Sequence, residues 1–125
     1  MQINDAEIVA EVRAAFDGYE IALCANDLAM LRELFWASPL TLRYGPRENL
    51  YGADAIHAFR AGRPAIQRPR DLLRVIISTF GRDAATANAE FMMPGDARLG
   101  RQSQTWIRTP NGWRIVAAHV SYEEP

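Results

Sequence analysis

Apolar side chains recur at Val9, Val12, Phe16, Tyr19 and Leu23, at spacings of three, four, three and four. That is one stripe along a helix of about five turns. Asn4, with Glu7 three residues on, predicts a capping box at its start. Asn26 ends it, and Asp27 caps a second, shorter helix carrying Leu28, Leu31, Leu34 and Phe35 inward, which Pro39 stops. Tyr19 is the one polar tip on the first stripe, so its hydroxyl points wherever that stripe points.

The stretch LTLRYGPRENLYG, residues 40 to 52, predicts a short strand, a turn and a second short strand. ADAIHAFRAGRP then predicts a third helix with Ile56 and Phe59 inward, ended by Gly62 and Pro64. After AIQRPR the period becomes that of strands: LLRVIISTF, AATANAEFMM, RQSQTWIR and WRIVAAHVSY, separated by turn residues. A two-residue Asn111-Gly112 loop would set Trp106 opposite Ala117, Gln104 opposite His119 and Gln102 opposite Ser121. Gln104, Trp106 and His119 would then share one face. Helices segregated from a meander predict an α+β domain, three helices packed on a curved antiparallel sheet, filling residues 1–125 as one unit. A sheet curved over the long helix leaves a conical pocket, and Tyr19 would enter it. Trp106, Trp113 and Val120 are expected to offer apolar area for pairing two copies through the open sheet face.

Composition narrows the chemistry. The chain has 125 residues, 49% of them hydrophobic, enough for one real core. A net charge of −1 gives no footprint for nucleic acid. No apolar run approaches the roughly 18 residues of a membrane span, and MQINDAEIVAEV does not read as a secretory signal. Cys24 is the single cysteine, so no internal disulfide forms and a buried inert thiol is expected. These features predict a cytoplasmic protein. All 14 basic residues are arginine. Without lysine there is no Schiff base, and any anion must be held by guanidinium or backbone. His57, His119 and Cys24 stand at unrelated spacings, so no metal site is expected, and no phosphate-binding glycine motif occurs.

Arg43 lies between Leu42 and Tyr44, where a strand sends side chains to both faces. It is either a surface arginine whose stem covers apolar neighbours or a fork that grips a carboxylate through two charge-assisted bonds. Tyr19 is either a core tyrosine with a backbone partner or a general acid/base in a dry cone. Arg63, at the end of the third helix, reads as a second anion contact or a structural tie. Asn49 would line the pocket mouth or merely shape the hairpin. Gln104, Trp106 and His119 would contact a substrate if their shared face is the interior one.

Three stretches carry a resemblance: LFWASPLTLRYGPRENLYG, AFRAGRPA and RQSQTWIRTPNGWRIVAAHVS. They resemble the HpxZ/AtzH-type branch of SnoaL-like proteins, oxalurate-catabolism and decarboxylating amidohydrolase relatives that share the nuclear-transport-factor-2-like, cystatin-like cone. The resemblance runs from about Gln2 to Ser121. It implies catalytic roles for Tyr19 and Arg43 and action, without a cofactor, on a small carboxylated urea or amide. Two alternatives stand beside that expectation. One is a non-catalytic binding or assembly subunit for a neighbouring amidase. The other is an isomerase or cyclase, which needs a pocket carboxylate that WASPL does not supply. A homodimer or higher homo-oligomer is expected, with no nucleic-acid or membrane partner.

Overall fold

The computed structural model describes residues 1–124. Its elements run α1 (Ala6–Ala25), α2 (Leu28–Leu34), β1 (Leu42–Tyr44), β2 (Asn49–Tyr51), α3 (Ala53–Ala61), β3 (Asp71–Phe80), β4 (Ala84–Met92), β5 (Gly100–Thr109) and β6 (Gly112–Tyr122). Asp5, rather than Asn4, caps α1: its carboxylate accepts from the N–H groups of Glu7 and Ile8. Asn4 instead joins the sheet edge, where its side chain accepts from the Thr79 N–H at 2.8 Å. The buried stripe accordingly includes Ile8 and Ala22 with Val12, Phe16 and Tyr19, while Val9 and Leu23 are half-buried. Asn26 does end the helix, in the left-handed conformation that Asn tolerates (φ 56°).

The strands form one six-stranded sheet in the order β2-β1-β6-β5-β4-β3. Every pairing is antiparallel except β1 with β6, which run parallel. The fold is therefore the expected α+β cone of three helices on a sheet, mixed at that one seam. Two irregularities bend it. One falls between Leu72 and Arg74 on β3, the other at Thr105/Trp106 against β6. The long strands β3–β6 lie against the long helix, and Phe16, Trp106 and Ile115 at its centre are fully buried.

The last hairpin departs from the expected register for two reasons. Its loop is Pro110-Asn111, because Thr109 and Gly112 already pair. Val116 then has no partner: Trp106 faces Ile115, but Thr105 faces Ala117. That extra residue switches the parity of β6. Trp113 and Ile115 point inward, then Ala118 and Val120 do, and His119 turns outward. Gln104 thus pairs with Ala118 and Gln102 with Val120, and His119 does not share the face of Gln104 and Trp106. Trp106, Trp113 and Val120 are all buried in the core, so they offer no area to a second copy.

Gly100 opens β5 against the ring of Phe91, and a Cβ at that position would overlap the ring. Phe91 is itself 1% exposed, with Arg70 stacked 4.2 Å from its centroid and Tyr122 edge-on. Nothing there can yield cheaply. Gly100→Ala should lower stability by roughly 1–3 kcal/mol, as overpacking does, with a thermal melt as the measurement.

Candidate functional site

Walls from α1, the end of α3, the β1–β2 hairpin and the ends of β4, β5 and β6 line a half-open cavity of about 600 Å³. Tyr19 and Arg43 both face it. The α1 stripe carries Tyr19 inward until it is 2% exposed, and the ring packs against Phe35 at 6.3 Å. Arg43 reaches the cavity from the centre of β1. Its Nη1 donates to Glu48 Oε1 at 2.9 Å, across the hairpin turn. Gly45 makes that return possible, because a Cβ there would overlap the Glu48 carboxylate. Arg43 is therefore ion-paired within its own hairpin as well as facing the cavity.

The wall holds six arginines, Arg43, Arg47, Arg63, Arg68, Arg70 and Arg98. Three are ion-paired: Arg43 with Glu48, Arg70 with Glu20, and Arg98 with Asp96. Among the described residues, Arg47, Arg63 and Arg68 have no carboxylate partner. The surplus gathers around Arg63. Partial burial, then the charges of Arg68, Arg43 and Arg60, pull its guanidinium below the ordinary value. Each further cation there raises the cost of the others, and a bound anion would relieve it.

Arg70 sits where β3 begins, with only 4% of its side chain exposed. Its Nε and Nη2 donate to the two Glu20 oxygens at 2.7 Å each, and Nη2 also donates to Gln102 Oε1 at 3.0 Å. Burial by itself would pull Arg70 down. Burial is the largest single influence, but the Glu20 hydrogen bonds, the nearby Tyr19 phenol, the Glu20 charge and Cys24 together exceed it and hold Arg70 above the ordinary value.

Of the other residues expected to bind substrate, Arg63 faces the cavity. Asn49 is exposed on β2, paired with Tyr44. Trp106 lies in the core, its Nε1 donating to Gln104 Oε1 at 3.0 Å, and neither belongs to the cavity wall. His119 is exposed on the outer face, edge-on to Tyr44 at 5.7 Å. Sequence reasoning missed Arg70, Glu20, Gln102 and Arg98. Gln102 left one signal, as a polar residue two positions before Gln104 on the strand face that also carries Trp106. Among the described residues, no three His, Cys, Asp or Glu side chains gather as metal ligands would. No helix there is long and apolar enough to cross a membrane.

Three helices packed on one six-stranded sheet in this order make the cystatin-like, nuclear-transport-factor-2-like fold. The chain belongs to the AtzH-like family, whose sequence model matches residues 1–125. It is 51% identical to a DUF3225-family protein of unknown function from Pectobacterium atrosepticum SCRI1043, with TM-score 0.94 over 98% of this chain and 95% of that one. It is 46% identical to a cystatin-like fold protein from Burkholderia xenovorans LB400, with TM-score 0.93 over 100% and 99% of the two chains. A nuclear-transport-factor-2-like superfamily protein from Salmonella enterica serovar Typhimurium LT2 shares 25% identity at TM-score 0.81, over 96% and 94%. Among curated proteins no match was found.

Arg98 lines the cavity, and its partner Asp96, outside the wall, is a pH-dependent element. Arg98 side-chain and backbone hydrogen bonds hold the Asp96 carboxyl down at about 2. A depressed carboxyl contributes stability above its unfolded value, near 3.8, and loses it as pH falls through about 2. A carboxyl-carbon NMR titration should therefore place the Asp96 midpoint near pH 2, and Arg98→Ala should return it toward 3.8.

Proposed function

We propose that the chain is a cofactor-independent, cytoplasmic enzyme that removes carbon dioxide from a small N-carboxylated urea or related amide. One observation carries this reading: Tyr19 and Arg43 wall a cavity whose guanidiniums outnumber their carboxylate partners. Such a wall favours a small anion, and about 600 Å³ fits a small molecule. Family membership supports the same chemistry.

Arg43 holds the N-carboxylate, with Glu48 fixing its fork. The N–C bond to the carboxylate breaks, its electron pair passes to nitrogen, and carbon dioxide leaves. Tyr19 gives that nitrogen its phenolic proton, and the phenolate recovers one from water. The carboxylate loses its charge along this path, so the grip of Arg43 orients more than it accelerates. Acceleration comes from the proton delivered where negative charge develops.

The Arg43–Glu48 bond favours one second reading, a ligand-binding or assembly subunit in which Arg43 ties the hairpin. An isomerase or cyclase finds less support. Glu48 is the one carboxylate of the wall among the described residues, and Glu20 and Asp96 bind two of its arginines. Each accepts hydrogen bonds from an arginine, which suits none of them to act as a base.

Steady-state kinetics on a panel of carboxylated ureas, oxalurate and biuret derivatives separates these readings. Arg43→Lys should fail nearly as badly as Arg43→Ala, because lysine keeps the charge and loses the planar fork. A lost charge-assisted bond costs roughly 1.5–3 kcal/mol, or about 10- to 150-fold in substrate affinity, read chiefly as a raised KM. Tyr19→Phe should depress turnover with little change in KM. An Arg43→Ala protein that merely unfolds makes the arginine a structural tie.

The proposed assembly is a homodimer or larger, built on the long strands. Edge strand β3 exposes Leu73, Ile76 and Phe80, an apolar edge that a second copy would cover. Light scattering should return at least a dimer at micromolar concentration, and a monomer would remove this part of the proposal.

A further inference from the structure

Gln102 is 2% exposed and forms part of the cavity wall. Its Oε1 accepts from Arg70 Nη2 at 3.0 Å. A guanidinium only donates, so the amide oxygen must face Arg70 and the amide nitrogen must face away. That nitrogen, Nε2, is buried and has no partner among the described residues. Two amide N–H groups are thus held beneath the wall with nothing to donate to, which is costly unless something fills the place.

Arg70 adds donors of the same kind. The bonds to Glu20 and Gln102 use Nε and Nη2, which leaves Nη1 for the cavity that Arg70 lines. The guanidinium is fixed twice over, by the Glu20 fork and by the Phe91 ring beneath it. Tyr19 is its neighbour on the same wall. The Arg70–Glu20 pair carries no net charge, whereas the Arg43, Arg63 and Arg68 region has three cations against Glu48 alone. The two ends of the cavity therefore ask for different groups. The cationic end suits a carboxylate. The neutral end offers N–H donors without net charge, which suits a carbonyl oxygen.

We propose that Gln102 Nε2 and Arg70 Nη1 form a carbonyl-binding pair, with Glu20 as the positioning residue, that selects a ureido or amide carbonyl in the bound carboxylate. The inference rests on the carboxylate-gripping reading of the cavity given above. It adds a second recognition element. A simple carboxylate fills one end only, and a ureido carboxylate fills both. Nothing covalent happens at Gln102. It fixes the carbonyl while Tyr19 faces the adjoining nitrogen.

Calorimetric titration with two probes tests it: N-carbamoylglycine, which has a carboxylate and a ureido carbonyl, and pentanoate, which has the carboxylate alone. The wild-type protein should prefer N-carbamoylglycine. Gln102→Met should cut that preference by about 2- to 13-fold, the worth of one neutral hydrogen bond, while pentanoate binding stays unchanged and so reports an intact fold. Gln102→Glu keeps an acceptor for Arg70 and replaces the free N–H2 by oxygen, so it should lose the preference too. Arg43→Ala should weaken both probes alike. A Gln102→Met protein that keeps the wild-type preference, a wild-type protein without any preference, or one that does not bind N-carbamoylglycine at all overturns the proposal. An Arg43→Ala protein that binds both probes normally overturns the carboxylate reading instead, and the two failures are distinct.

Discussion

The bond between Arg70 and Glu20 joins the C-terminal part of the long helix to the residue just before the first long strand, across 50 positions of sequence. Both groups are largely out of water, so neither can be left alone without a large penalty. The pair therefore fixes how α1 sits on the sheet beside the cavity that Tyr19 and Arg70 line. Phe91 beneath the guanidinium and Gln102 beside it are placed by the same contact. Gly100 is required because Phe91 has to lie there. Helix, sheet and pocket wall meet at this ion pair, and the cavity stays open because polar groups rather than packed aliphatics span it.

A second ion pair works on a smaller scale. Arg43 and Glu48 close the β1–β2 hairpin upon itself, and Gly45 leaves room for the carboxylate to return. The strands there are three residues each, too short to hold a side chain rigidly by the ladder alone. The ion pair supplies the missing constraint, and β1 gains the rest by lying parallel to β6.

What could be read from the sequence follows the range of the forces involved. The Asn26 stop and the Asp27 cap are local and stand as the sequence implies, and so does the centre of the α1 stripe, Val12, Phe16 and Tyr19, although Ile8 and Ala22 rather than Val9 and Leu23 are its buried ends. Arg43 and Tyr19 were conspicuous because each breaks an apolar pattern. The cap at Asp5 was harder, since Asn4 offers the same chemistry one residue earlier and is drawn off by Thr79 on the distant sheet edge. The face of His119 was illegible for a related reason. An unpaired Val116 reverses β6 parity, and no local propensity marks that bulge. Glu20, Arg70 and Gln102 are ordinary polar residues until the fold brings them together. Their meaning is a property of contacts made over 50 and 32 positions.

The exclusive use of arginine has a consequence for how the pocket can be controlled. Guanidiniums sit over aromatic rings here, Arg70 over Phe91, Arg98 over Tyr122 and Arg63 over Phe59, and a planar guanidinium can stack on a ring as an ammonium group cannot. They also keep their protons at any physiological acidity, and they offer no amine for acylation. The positive character of the walls is thus a constant of the molecule, out of reach of cellular pH and of lysine-directed modification. A change of binding with acidity therefore falls to groups other than these arginines, among them the carboxyl of the ligand itself.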